Sequence, residues 1–260
     1  MKVVILAGGQ GTRLREETEF IPKPLVEIGG RPILWHIMQF FASHGHTDFV
    51  VLVGYKGDAI RRYFLDYPAL ESDFTVQLSP GSQPVFHSTR AALPWQVSVV
   101  ETGLKTLTAG RLLAGRRFFD SEPFLLTYGD GLADVDLSML LAQHASGNAD
   151  LTLSVASPRS RFGAVEVSGD GIVSSFREKP EQSSWVNIGF MVANPAALDL
   201  IEGDEPLEEG PLDRLVSKGK LGAYKHEGFF HPMDTLRDVE SLNLLWEGGS
   251  APWKVWSGDA

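Results

Sequence analysis

At 260 residues, 43% of them hydrophobic and 22% charged, the chain is long enough to enclose one large α/β core. A net charge of −10 argues against nucleic acid or an anionic membrane as partner, so neither is expected. The absence of cysteine excludes disulfides, a thiol nucleophile and thiolate metal sites; with a strand expected at the N-terminus in place of a signal peptide, and no apolar run of the ~18–20 residues that a span requires, a cytoplasmic protein is expected.

Residues 2–6 read as an apolar strand that runs into Ala7-Gly8-Gly9-Gln10-Gly11-Thr12-Arg13. Three residues without a Cβ let backbone N–H groups approach a phosphate, and a following helix would add its positive end. Arg13 closes this loop with a cation, and Lys23 supplies a second one between Pro22 and Pro24. The dinucleotide fingerprint G-x-G-x-x-G is excluded because Leu14 stands at the third glycine, and no G-x-x-x-x-G-K-[ST] run occurs. Residues 33–44 have the spacing of an amphipathic helix, in which Trp35 packs toward the sheet and His44 and His46 form the polar end. A strand at 48–53 and a helix at 58–66 follow. Residues 67–95 are rich in Pro, Ser and Thr with weak periodicity, which leaves a flap, a subunit contact and a mobile loop open. A strand at 123–128 ends in the turn Gly129-Asp130-Gly131, and a helix at 137–146 precedes a strand at 151–156. This alternation predicts a mostly parallel, doubly wound sheet with ligands at the carboxyl ends of its strands. Beyond residue 162 the grammar changes to short strands at 164–167, 172–177 and 186–192, with a hairpin signal at Gly169-Asp170-Gly171. Residues 195–218 are helical in pieces, and strands are expected at 221–226 and 229–232. No repeat is visible, and the chain after 240 has no room for a hexapeptide β-helix.

Ala7-Gly8-Gly9-Gln10-Gly11-Thr12-Arg13-Leu14, followed by Pro22-Lys23-Pro24, resembles the sugar-1-phosphate nucleotidyltransferases. Glu27-Ile28-Gly29-Gly30-Arg31-Pro32-Ile33-Leu34-Trp35-His36 and Gly54-Tyr55-Lys56-Gly57 are similar to the glucose-1-phosphate cytidylyltransferase branch of that family. So are Thr127-Tyr128-Gly129-Asp130-Gly131, Arg161-Phe162-Gly163-Ala164, Phe176-Arg177-Glu178-Lys179-Pro180 and Pro232-Met233-Asp234-Thr235-Leu236-Arg237-Asp238. The resemblance runs from residue 1 to about Trp256. It implies an α/β fold, a Rossmann-like nucleotidyltransferase fold whose mostly parallel mixed sheet has helices on both faces and a small antiparallel sugar-binding portion. It implies one domain over 1–260, with 1–160 mainly binding nucleotide and 161–240 mainly binding sugar phosphate. The implied reaction is cytidylyl transfer from CTP to α-D-glucose 1-phosphate, with Mg²⁺ as cofactor and a homo-oligomer as the assembly. UTP or dTTP, another hexose or heptose 1-phosphate, and a non-catalytic regulatory subunit remain alternatives.

The chemistry of such a transfer is a problem of repulsion. A sugar 1-phosphate, with a second pKa near ~6, is already a nucleophilic dianion, so no general base is required. Cations must neutralise the triphosphate and align the partners. Arg13, whose fork suits two phosphate oxygens, and Lys23, whose prolines restrict its backbone, are the candidates. Asp130 and Asp234 are the metal candidates, since Mg²⁺ favours one or two carboxylates plus phosphate and water. Taken alone, Asp130 reads equally as a turn residue and Asp234 as a helix cap; the family pattern makes them ligands. The resemblance also assigns nucleotide binding to Leu6, Ala7, Gly8, Gly9, Gly11, Thr12, Thr106, Arg111 and Gly129, and sugar-phosphate binding to Tyr128, Glu178, Lys179 and Asn187. Two departures fall near the expected sugar and metal sites: Ile188 replaces a glycine, and Phe230-His231 replaces Trp-Gln.

Overall fold

The computed structural model describes residues 1–9, 11, 14, 20–89, 93–157, 164–177 and 184–257. In chain order, these residues form β1 (Val3–Ala7), a 3₁₀ turn (Lys23–Leu25), β2 (Glu27–Ile28), β3 (Arg31–Pro32), α1 (Ile33–Ser43), β4 (Asp48–Val53) and α2 (Gly57–Leu70). Then come β5 (Ser72–Thr75), β6 (Val85–Thr89), β7 (Gln96–Glu101), α3 (Thr108–Gly115), β8 (Phe124–Tyr128), β9 (Gly131–Ala133), α4 (Leu137–Ser146) and β10 (Leu151–Ala156). The last third contributes β11 (Ala164–Val167), β12 (Val173–Arg177), β13 (Val186–Asn187), β14 (Met191–Ala193), α5 (Pro195–Leu198), α6 (Pro211–Ser217), β15 (Leu221–His226), β16 (Phe230–Pro232) and α7 (Leu236–Glu247).

The main sheet runs β15-β10-β14-β8-β1-β4-β7, with β13 beside β10 on the same edge as β14. The pairs β8–β1, β1–β4, β4–β7 and β10–β15 are parallel, while β14 lies antiparallel to both β8 and β10. The sheet is therefore mixed and mostly parallel, as the alternating pattern predicts. All five residues of β1 are buried. Val3, Ile5 and Ala7 face one apolar layer with α1, α4 and α7, whereas Val4 and Leu6 face a second with α3, α5 and α6. A strand covered on both faces reads as a continuous apolar run, which is why 2–6 was legible. Helix α1 buries most of its length but keeps His36, Gln39 and Ser43 along one stripe, the amphipathic pattern expected of it, and it ends at His44, after which Gly45 takes φ +84°. Trp35 packs edge-on against Trp256 and over Trp95, so this helix meets the C-terminal segment as well as the sheet.

Three expectations take a more definite form. Within 67–89, α2 runs on to Leu70 and an antiparallel hairpin of β5 and β6 follows. The strand expected at 186–192 is broken at Ile188-Gly189-Phe190, where Gly189 and Phe190 both take positive φ, +77° and +49°. The hairpin of β11 and β12 forms its own two-stranded sheet and does not extend the core.

The chain winds from β1 outward to β4 and β7, then returns to β8 on the other side of β1. Strand order reverses there, so the carboxyl ends of β1 and β8 open a crevice between their loops.

Candidate active site

The first side of the crevice is the loop after β1. Gly129 N–H donates to the Leu6 carbonyl at 3.0 Å and ties the two strand ends together. The Gly8 carbonyl accepts from Tyr55 N–H at 3.2 Å and from Arg111 Nη2 at 2.9 Å. Arg111 Nη1 donates to Thr102 Oγ1 at 2.6 Å and to the Gly103 carbonyl at 2.9 Å. Arg111 is 4% exposed, and burial lowers its pKa against the opposing charges of Glu101 and Asp204. A Cβ on Gly8 would sit 2.3 Å from this group. That glycine is needed for the protein's own packing, whereas a Cβ on Gly9 would meet nothing within 4 Å. Gly11 takes φ +60°. Thr12 and Arg13 lie outside the described residues.

Leu6, Gly8, Gly9, Thr106, Arg111 and Tyr128 line one cleft of about 400 Å³, together with Pro206 and Glu208. Five of the expected nucleotide residues are therefore brought together. Thr106 and Arg111 turn their polar atoms mainly inward, Thr106 Oγ1 donating to the Thr102 carbonyl at 2.6 Å. They set the backbone of the cleft wall.

On the second side, Lys23 Nζ donates to Asp130 Oδ2 at 2.7 Å and to Asp234 Oδ1 at 2.9 Å. Three short elements produce this convergence. The 3₁₀ turn closes on Pro22, whose carbonyl accepts from Leu25 N–H at 2.8 Å, and buries Lys23 and Pro24. The three-residue pairing of β9 with β16 sets Gly131 opposite Pro232, and Met233 N–H donates to the Asp130 carbonyl at 2.8 Å. The cap of α7 is Thr235 and not Asp234; Asp238 Oδ2 accepts from Asp234 N–H at 3.0 Å and Thr235 N–H at 2.8 Å. Asp234 is thereby held by its main chain with its carboxylate aimed at Lys23. Burial alone would depress the Lys23 ammonium, but Asp130 first and Asp234 next overcome it, and the pKa lies above the usual lysine value. The side chain is 10% exposed, whereas Asp130 is 40% and Asp234 22% exposed, so both carboxylates still reach solvent.

Beside this centre, Tyr128 Oη donates to Glu208 and accepts from Asn187 Nδ2 at 3.3 Å. Burial, then the Glu208 charge, pushes the Tyr128 pKa up and keeps the phenol protonated. Asn187 Oδ1 accepts from Gly189 N–H at 3.0 Å. Gly189 is the glycine this bend requires: its φ is +77°, and a Cβ would meet Tyr128 at 3.0 Å. Ile188, at the departure from the family pattern, is 3% exposed in the core and does not disturb the bend. Phe230 pairs with Ala133, and His231 lies 4.0 Å from Asp238, so the second departure sits behind the carboxylates. Glu178 and Lys179 lie outside the described residues. Glu208 was missed by sequence reasoning, and an isolated Glu-Glu pair in a loop offers no signal to find it.

Residues 2–225 match the nucleotidyl transferase family model. The chain belongs to the nucleotidyl transferase family. It is 47% identical over 259 residues to a glucose-1-phosphate cytidylyltransferase of Salmonella typhi, covering 98% of this chain and 100% of that protein. It is 41% identical over 258 residues to a probable glucose-1-phosphate cytidylyltransferase of Bacillus subtilis strain 168, covering 98% and 100%. In fold, it resembles the crystal structure of a UDP-glucose pyrophosphorylase complexed with UDP-glucose, with a TM-score of 0.69 at 16% identity over 95% of this chain and 98% of that one.

Nucleotidyl transferases of this kind generally use a divalent metal. Asp130 and Asp234 supply hard oxygen donors 2.7 and 2.9 Å from a common positive charge, and they flank two strands fixed by pairing. No cluster of three or more His, Cys, Asp or Glu occurs among the described residues. Two carboxylates with further positions left to phosphate and water are what an octahedral divalent ion accepts, so the residues fit the group.

Proposed function

We propose that this chain transfers the cytidylyl group of CTP to α-D-glucose 1-phosphate, releasing CDP-glucose and pyrophosphate. The observation that carries the reading is the buried Lys23 ammonium between Asp130 and Asp234 at the crevice where strand order reverses. The near-full-length similarity to glucose-1-phosphate cytidylyltransferases supports the substrate pair.

A phosphate oxygen of the sugar phosphate attacks the α-phosphorus of CTP in line. A P–O bond forms as the bond to the β-phosphate breaks, and pyrophosphate leaves with the electron pair. Lys23 and Arg13 neutralise phosphate oxygens as charge builds on them. Asp130 and Asp234 hold Mg²⁺, which when bound supplies charge neutralisation on the triphosphate. Leu6, Ala7, Gly8, Gly9, Gly11, Thr12, Thr106, Arg111 and Gly129 form the nucleotide side, much of it through main-chain groups. Tyr128, Glu178, Lys179 and Asn187 form the sugar-phosphate side. In this reading, 1–160 serve mainly the nucleotide and 161–240 mainly the sugar phosphate within one domain. The setting proposed is the cytoplasm; no helix among the described residues is long and apolar enough to cross a membrane. A homo-oligomer is proposed from the exposed Leu70, Phe74, Leu78, Val85 and Phe86 on and beside the β5–β6 hairpin.

The test is pyrophosphate release by purified protein in Mg²⁺, with CTP, UTP, dTTP and GTP each set against several sugar 1-phosphates. CTP with glucose 1-phosphate is expected to give the highest kcat/KM. No release with any pair would end the reading.

A further inference from the structure

A chain of hydrogen bonds crosses the wall of the cleft and joins three segments far apart in sequence. It begins at the 3₁₀ turn Leu207–Glu209, which is firmly seated. Leu207 is 2% exposed, its N–H donates to Thr108 Oγ1 at 2.7 Å, and Leu107 N–H donates to Asp204 at 2.7 Å. Thr108 Oγ1 in turn donates to Glu208 Oε2 at 3.1 Å, which leaves Oε1 for Tyr128.

The direction of the chain follows from its donors. A carboxylate accepts and does not donate, and a phenol has one proton. Tyr128 therefore spends its proton on Glu208 and offers Asn187 a lone pair. Asn187 answers with its Nδ2–H, while its Oδ1 is fixed by Gly189 N–H at 3.0 Å. With both ends specified, the amide has one orientation. Without the Glu208 acceptor, the phenol proton is no longer directed, so the lone pair that receives Asn187 Nδ2–H loses its fixed direction and the amide is held at Oδ1 alone.

We infer that Glu208 is a positioning residue, which orients the Tyr128 phenol and through it the Asn187 amide, and so sets affinity for the sugar phosphate. The inference rests on the proposed reading of this crevice as a sugar 1-phosphate site. It adds to that site Glu208, which lines the same cleft as Tyr128.

The test measures KM for glucose 1-phosphate, KM for CTP, kcat and the thermal unfolding midpoint in full-length wild type, Glu208→Ala, Glu208→Gln and Tyr128→Phe. Glu208→Ala is expected to raise the sugar-phosphate KM about tenfold, with a much smaller change in CTP KM and kcat. Tyr128→Phe should raise the same KM, and the double variant should be no worse than the poorer single one, because both break one chain. Glu208→Gln keeps an acceptor oxygen for the phenol and should recover most of the loss. An unchanged sugar-phosphate KM in Glu208→Ala overturns the inference. So do parallel rises in both KM values with a lower midpoint, or a Gln variant as poor as the Ala variant. Wild type inactive with CTP and glucose 1-phosphate sinks the proposed reaction instead; active wild type with an indifferent Glu208→Ala sinks only the positioning role.

Discussion

Taking a lysine out of water is costly, and Lys23 tolerates it because two carboxylates sit within 2.9 Å of its ammonium. Truncation should therefore act mainly on chemistry. Lys23→Ala is expected to lower kcat by about 10²–10³-fold with a smaller effect on CTP affinity, read by steady-state kinetics beside nucleotide titration. Asp130→Asn should abolish turnover in Mg²⁺ while costing about 1 kcal/mol of stability, since Asp234 still holds the ammonium. Persistent turnover would remove Asp130 from the metal site. Each of these residues was legible in its own motif. Their meeting was not, because Lys23 lies 107 residues from Asp130 and 211 from Asp234. A three-residue pairing of β9 with β16 is too short to leave a periodic trace.

Among the elements, α7 owes its position to a capping box in which Thr235 Oγ1 accepts from Asp238 N–H and Asp238 bonds back. Asp238 also holds the Asp234 main chain, so one side chain serves both the helix and the site. Asp238→Ala is expected to cost about 1–2 kcal/mol in chemical denaturation and to weaken Mn²⁺ binding measured directly; stability loss with intact metal binding would separate the two roles. Most elements of the parallel core were legible, because apolar strands alternate with helical periods. Strand β7 and helix α3 went unread. Val97, Val99 and their polar neighbours do alternate, but they follow a hairpin that broke the expected β-α rhythm. Helix α3 has only eight residues and no side-chain cap at Leu107. The two positive φ values at Gly189 and Phe190 were likewise hidden, since Ser154 Oγ donates to the Phe190 carbonyl from another strand to hold the bend.

For the molecule as a whole, pH acts through His36. The ring is fully buried; Nδ1 accepts from Trp253 Nε1 at 3.3 Å, so Nε2 carries the proton that it donates to the Ile28 carbonyl at 2.8 Å. Burial, with a further push from Arg31 and against the Ile28 bond, lowers its pKa from 6.5 to about 4. Between those values the unfolded chain binds the proton that the folded one refuses. Stability is therefore full above pH 6.5 and is lost as pH falls toward 4, by about 3 kcal/mol in all. Denaturation at pH 7 and pH 5 should show the wild type losing more than His36→Gln, whose amide can keep both bonds; equal losses would acquit this histidine. The apolar hairpin also acts at this scale. Leu78, 96% exposed, is expected to lie in a contact between copies, so Leu78→Asp should lower the mass measured by light scattering. A monomeric wild type would refute that contact.

The separation of Lys23 from its second carboxylate has a consequence for biosynthesis. At ribosomal speeds of about 5–20 residues per second, Asp234 leaves the peptidyl-transferase centre roughly 10–40 s after Lys23. A nascent chain that has already wound β1 against β4 still lacks its reaction centre. On the proposed roles of these residues, truncated translation products are expected to be inert, however well their early strands have folded.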